Sequence, residues 1–322
     1  MRKYALTALA IAVFITGCSS NKTSNIARPD PAYEQQTALI KQAEEFAKVG
    51  EFKEQIKSLQ TAEGMGSAQA AYELGKIYSS GSITAMDKQK AFEHFQAAAN
   101  LGSIEGKITA SWLNMYGIGT AVNEKAGLDL MKEAAKTDIR AKREMGLMYG
   151  DLRLPFLHDE QKGMKYLSEA SGQGDANATY YLSVLATRLG KVDVAHKALV
   201  RAAEMGQPKA ALELGREAMQ AGEYMKARSL FLTSANAYDS EGMFELGKGQ
   251  AQGKITTTSN VQGVTPTIEA YVWLLGSSGQ KHLQAQEELA KVEARLPTDP
   301  ASKAVIQAVM KEIKNQVEPW QD

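Results

Sequence analysis

The chain has 322 residues, with 37 Lys and Arg against 37 Asp and Glu, so its formal net charge is zero. Balanced charge gives no electrostatic reason to expect nucleic acid as a partner, and a single cysteine, Cys18, excludes a disulfide within the chain. Eight prolines, alanine-rich stretches and no run of alternating β-branched residues predict an all-α chain.

Residues 1–17 read as an export leader: Arg2 and Lys3 precede an apolar run from Tyr4 to Phe14, which is shorter than the ~20 residues a membrane-spanning helix needs. The run ends in Ile15-Thr16-Gly17-Cys18, which resembles the lipobox of bacterial lipoproteins. That resemblance implies cleavage before Cys18, acylation of its thiol and new amine, and, because Ser19 rather than aspartate follows, transport to the outer membrane with the body in the periplasm. Two or three acyl chains at ~0.8 kcal/mol per buried methylene would hold the chain on its membrane. Residues 18–31 are polar, Pro29 and Pro31 oppose helix, and the stretch is expected to be a flexible tether reaching roughly 40 Å at ~3.3 Å per residue.

Within residues 32–68, Ala38 to Ala62 with a turn at Gly50-Glu51 reads as a degenerate leading helix pair. From 69 to 286, six Leu-Gly-like motifs each precede a small-residue doublet: Leu74-Gly75, Trp112-Leu113, Met145-Gly146, Leu182-Ser183, Leu214-Gly215 and Leu246-Gly247. The doublets end at 99, 135, 171, 203, 235 and 278. Steps of 32 to 43 residues between them predict an α-solenoid of stacked helix pairs. In the first clear unit, Ala71, Leu74, Gly75 and Tyr78 share one face of a helix starting near Gln69 and ending at Gly81. Gly75 forfeits about 1 kcal/mol of helix propensity, and close approach of a neighbouring backbone is the expected reason.

Ala71-x-x-Leu74-Gly75-x-x-Tyr78, Lys90-Ala91, Tyr116-Gly117-Ile118-Gly119, Lys125-Ala126 and Glu269-Ala270-Tyr271-Val272-Trp273 together resemble the Sel-one-like repeat, a relative of the tetratricopeptide repeat. The resemblance implies a superhelix that binds other proteins. Turns at Leu189-Gly190-Lys191 and Ala221-Gly222-Glu223 look tetratricopeptide-like, and Lys281 stands where the family expects glycine. The Thr- and Ser-rich insertion from Lys254 to Thr267 is expected to be a floppy connector, and residues 287–322 to supply capping helices and a tail in which Glu318-Pro319-Trp320 ends frayed.

Chemistry is sparse. His94, His158, His196 and His282 lie far apart without ligand spacing, and no nucleophile elbow or phosphate loop occurs, so no enzyme, cofactor or metal is expected. Helix-pair arrays line their inner surface with the first helix of each unit. Counting six and three residues before each Gly-equivalent, and one after, gives a row with seven basic residues and one acidic among eighteen. From it, Tyr72, Lys76, Lys107, Arg140, Arg143, Tyr180, Arg216, Phe244 and Lys248 are the candidate partner-binding residues, forming an electropositive face for an acidic protein segment or an anionic glycan. The two readings are a lipid-anchored scaffold for an envelope assembly of the polysaccharide export, secretion or motor type, or a surface-exposed ligand-binding or host-interaction lipoprotein.

Overall fold

A computed structural model describes residues 31–317. The leader, the lipidation of Cys18 and the tether up to residue 30, all expectations from the sequence, and the tail from Glu318 lie outside them. All regular structure among the described residues is helical, and none of those helices is long and apolar enough to cross a membrane. The chain divides into two compact units, up to Met65 and from Gly66.

In the first unit, α1 (Pro31–Lys48) and α2 (Phe52–Gly64) form a hairpin that turns at Gly50, φ +78°. Pro31, expected to oppose helix, lies within α1. Ile40, Ala43, Leu59 and Ala62 are its buried apolar residues, and Gln36 Nε2 donates to the Met65 carbonyl at 2.7 Å.

The second unit is a run of helix pairs: α3 (Ala68–Ser80) with α4 (Lys88–Asn100), α5 (Ile104–Tyr116) with α6 (Glu124–Ala134), α7 (Ile139–Tyr149) with α8 (Glu160–Gly172), α9 (Ala176–Arg188) with α10 (Val192–Glu204), α11 (Pro208–Gln220) with α12 (Tyr224–Asn236), and α13 (Ser240–Ala251) with α14 (Pro266–Gly279). Each pair also packs on the next, and the thinnest of these inter-pair contacts is between α6 and α7. The pairs of the 36-residue steps have loops at 81–87, 117–123 and 150–159 that end in the N-caps Asp87, Asn123 and Asp159. The 32-residue units turn at 189–191 and 221–223, and their second helices start from Lys191 and Glu223 with no side-chain cap.

Every first helix begins in the same way. Ser67, Ser103, Asp138, Asp175, Gln207 and Asp239 each accept a hydrogen bond from the backbone N–H three residues on. Eight residues after each cap sits the small residue of the repeat: Gly75, Ser111, Gly146, Ser183, Gly215 and Gly247. The α5–α6 pair therefore uses Ala110-Ser111 where Trp112-Leu113 was expected. A Cβ on Gly75 or Gly215 would lie 2.6 Å from the ring of Phe95 or Phe231, so these glycines make room for a partner side chain, not for a backbone. Backbone approach occurs elsewhere: a Cβ on Gly127 would meet the Ser111 carbonyl oxygen at 2.6 Å, and one on Gly163 the Gly150 nitrogen at 2.6 Å.

Past α14, α15 (Leu283–Glu293) extends the first-helix series by packing on α13 and α14, and its outer face of Gln284, Gln286, Glu287 and Lys291 is polar, as an end cap requires. The second half of the expected cap behaves differently. α16 (Pro300–Gln316) scarcely touches α15 and lies against α14 and the insertion. That insertion is tied down, not floppy. Ile255 is 2% exposed, Arg228 donates to the Thr257 carbonyl at 2.7 Å, and the buried Glu269 carboxylate accepts from the Thr258 and Ser259 amides and the Thr258 hydroxyl. Glu312 of α16 accepts from the Ser259 hydroxyl and the Asn260 amide. Two carboxylates, each in a helix, thus accept from the backbone amides and hydroxyls of this Thr- and Ser-rich stretch.

Lys281 holds φ +66° at the turn into α15, where the turns before α3, α5, α9 and α11 use Gly66, Gly102, Gly174 and Gly206. Lys281→Gly should raise stability by about 0.5–1 kcal/mol, read as a higher urea midpoint, because only the lysine carries a Cβ into the left-handed region.

Candidate functional site: the first-helix row

Consecutive first helices touch directly, at α3–α5, α7–α9, α11–α13 and α13–α15, while no two second helices from α4 to α14 pack together to a like extent. First helices are thus the more closely spaced side of the array. Their faces form one continuous row, and the cap-based register defines its members: Gln69, Tyr72, Lys76; Glu105, Ile108, Trp112; Arg140, Arg143, Leu147; Asn177, Tyr180, Val184; Lys209, Leu212, Arg216; Glu241, Phe244, Lys248. Lys107, expected in the row, is displaced from it by two residues, and Glu105 takes its place. The ion pair that Glu105 makes with Arg140 of the next first helix, at 3.2 Å, fixes that alignment.

Four of the six basic residues in the row, Lys76, Arg140, Arg143 and Arg216, are paired with carboxylates where an unopposed electropositive face was expected. Arg140 also reaches Asp138, the N-cap of its own helix. Arg143 is 12% exposed in its side chain and lies between Glu144 at 3.7 Å and Asp175, the N-cap of α9, at 3.1 Å. Arg216 bridges Glu245 at 2.8 Å and Glu241 at 2.5 Å, both on α13. Lys76 pairs with Glu73 in its own helix and lies 5.9 Å from the Tyr72 ring centre. Partners one repeat away are invisible to a count along single helices, which is why the surplus of basic residues looked unopposed.

Aromatic residues divide into two kinds. Phe244 is buried, 3% exposed, and stacks on His282 with ring centres 4.6 Å apart, so its place is in the core and not on the open face. Lys248 covers its ring at 5.1 Å. Tyr72 is half-buried beside Phe95, and half-buried Tyr180 donates its hydroxyl to Glu213 at 2.8 Å; burial first, and that carboxylate second, raise the phenol pKa above its ordinary value. Trp112, missed by the earlier register, is half-buried, stacks on the exposed Tyr116 and lies beneath the Arg153 guanidinium at 5.9 Å. Arg153 in turn pairs with Glu144, whose carboxyl burial holds above the ordinary range against the pull of Arg153 and Arg143. A linked series of side chains therefore runs from Trp112 on α5 through α7 to the start of α9.

At the other end, burial works to raise the Glu241 pKa, but hydrogen bonds from Arg216 and His282 outweigh it and hold the carboxyl below its ordinary 4.5. A depressed folded-state value contributes stability above the unfolded pKa that is lost as pH falls through the folded one. Glu241→Gln should therefore lower the melting temperature at pH 7, and the gap from the parent protein should close as pH is taken well below 4.5. A gap that stays constant with pH would contradict this.

Comparison with known proteins agrees with the geometry. The family model described as "Sel1 repeat" matches residues 68–103, 110–136 and 139–175. The chain is 29% identical over 164 residues to the chitin synthase regulator SKT5 of Saccharomyces cerevisiae, a match that covers 47% of this chain and 24% of that protein, so the chain spans about a quarter of its curated relative. Among solved structures, a Sel1 repeat protein from Oxalobacter formigenes superposes with TM-score 0.60 at 20% identity, over 75% of this chain and 99% of that one. The c5321 protein, a protective antigen of uropathogenic Escherichia coli with an SLR fold, superposes with TM-score 0.54 at 18% identity, over 82% of this chain and 64% of that one. Sel1 repeats are a protein–protein interaction architecture. The Sel1 repeat model thus matches at three consecutive helix pairs, from α3 to α8, and the chain shares its fold with the Sel1-repeat structures.

Proposed function

We propose that this protein is an outer-membrane lipoprotein, anchored through acylated Cys18, that holds a component of an envelope assembly along its first-helix row. The observation that carries the binding role is the continuity of that row across six helix pairs, with side chains such as Gln69, Lys76 and Lys209 exposed on it. Compensation of Arg140, Arg143 and Arg216 argues against a partner recognised by negative charge alone. It favours a protein segment that offers apolar groups to Tyr72 and Trp112 and polar groups to the flanking pairs. The leader and lipobox-like sequence support the membrane address.

A photoreactive residue placed at Gln69, Lys76 or Lys209 in living cells should capture one envelope protein, and the same residue at Lys132 or Lys165 on second helices should not. Capture from second helices alone would overturn the assignment of the row. Cys18→Ala should release the protein on carbonate washing, and retention in the membrane fraction would remove the anchor. Protection from added protease in intact cells is expected for a periplasmic body, and cleavage would favour the surface-exposed reading.

A further inference from the structure

A cleft of about 530 Å³ opens between α14, α16 and the start of α13, lined by no residue of the row. That volume is in the range of ligand and peptide-anchor pockets. Its lining is mainly apolar, with Met243, Val272, Met310, Ile313 and Val317 among the residues that face it. Tyr238 also borders it, 51% exposed and with φ +61° in the turn before α13, the place where four other turns carry glycine. A bulky residue held in the left-handed region beside an open cleft is a cost that packing does not explain, since half of its surface meets solvent. Two lysines, Lys311 and Lys314, lie one helical turn apart on the same lining and make no ion pair among the described residues. Lys48, Lys76 and Lys291, by contrast, each pair with a glutamate three residues away.

We infer that this cleft is a second docking site, for a segment of a partner protein that inserts one aromatic side chain and flanks it with carboxylates. The apolar lining and the Tyr238 ring take the aromatic group, and Lys311 and Lys314 take the carboxylates. An aromatic anchor in a desolvated pocket supplies most of the affinity, and the rim charges supply selection between partners. The site uses none of the first-helix row, so it stands or falls independently of that reading.

The test uses the full chain and two fluorescein-labelled peptides, tryptophan between pairs of glutamates and tryptophan between pairs of lysines, followed by fluorescence anisotropy. The acidic peptide should bind at least tenfold tighter than the basic one. Lys311→Glu with Lys314→Glu should reverse that preference, and Tyr238→Gly should weaken the acidic peptide several-fold while leaving the urea midpoint unchanged or higher. Equal binding of the two peptides, or a preference that survives both variants, would overturn the proposal. The residues after Val317 begin Glu318-Pro319-Trp320, an acid and an indole of the same chemistry. Binding that appears only in Trp320→Ala would assign the cleft to the chain's own tail and likewise overturn the partner proposal.

Discussion

Glu269→Ala should destabilise the second unit by about 2–4 kcal/mol and expose the segment between α13 and α14 to proteolysis. Glu269 is fully buried, and its two oxygens receive the Thr258 amide at 2.8 and 3.0 Å, the Ser259 amide at 3.2 Å and the indole N–H of Trp273, four residues on, at 3.3 Å. Removing the carboxylate leaves these donors without an acceptor, at about 1–3 kcal/mol for each that stays buried, less what the loop recovers by turning to water. Trp273 is itself fully buried and cannot turn. Glu269→Gln keeps the shape but gives up one acceptor oxygen for an NH2 group that faces donors, so an intermediate loss is expected. The urea midpoint measures the first effect, and limited trypsin cleavage at Lys254 the second. A stability within 0.5 kcal/mol of the parent protein would show that Ile255, Arg228 and Glu312 hold the insertion without Glu269.

Gly163→Ala should cost about 1 kcal/mol net although alanine is the better helix former. The new Cβ would lie 2.6 Å from the Gly150 nitrogen and 2.7 Å from its Cα, both backbone atoms that no rotamer change can move aside. Relief requires α8 to separate from the end of α7, an overpacking cost of about 1–3 kcal/mol that exceeds the roughly 1 kcal/mol gained in propensity. Gly172, at the end of the same helix, has nothing within 4 Å of its ideal Cβ position. Gly172→Ala is therefore the matched control, expected at or slightly above parental stability in the same denaturation series. If both substitutions behave alike, the close crossing of α7 and α8 is not what selects glycine.

The array was legible because small residues recur at helical spacing in steps of 32 to 43 residues, and a helix pair that must seat Phe95 or Phe231 over a glycine leaves that mark wherever it occurs. The register of the α5–α6 pair was not, since Ala110-Ser111 carries no Leu-Gly signal and the neighbouring Trp112-Leu113 imitates one. The capping residue would have found it: Ser103 precedes Ser111 by the same eight residues that separate Ser67 from Gly75. With that correction Glu105 and Trp112 enter the row and Lys107 leaves it. The ion pairs Arg143–Asp175 and Arg216–Glu245 join residues about 30 positions apart, as does the hydrogen bond from Tyr180 to Glu213. No pattern within one helix encodes them. For the insertion, composition alone suggested a loose connector, and the acceptors that order it lie on α14 and α16.

Because every pair leans only on its neighbours, the sparse seam between α6 and α7 governs how the array comes apart. The Arg140–Glu105 bridge spans it, but both side chains are about half exposed and added salt screens them. Heating or mechanical tension should therefore split the second unit into a block of two hairpins, α3 to α6, and a longer block from α7 onward before either melts. Whatever is bound across that joint acts as a splint.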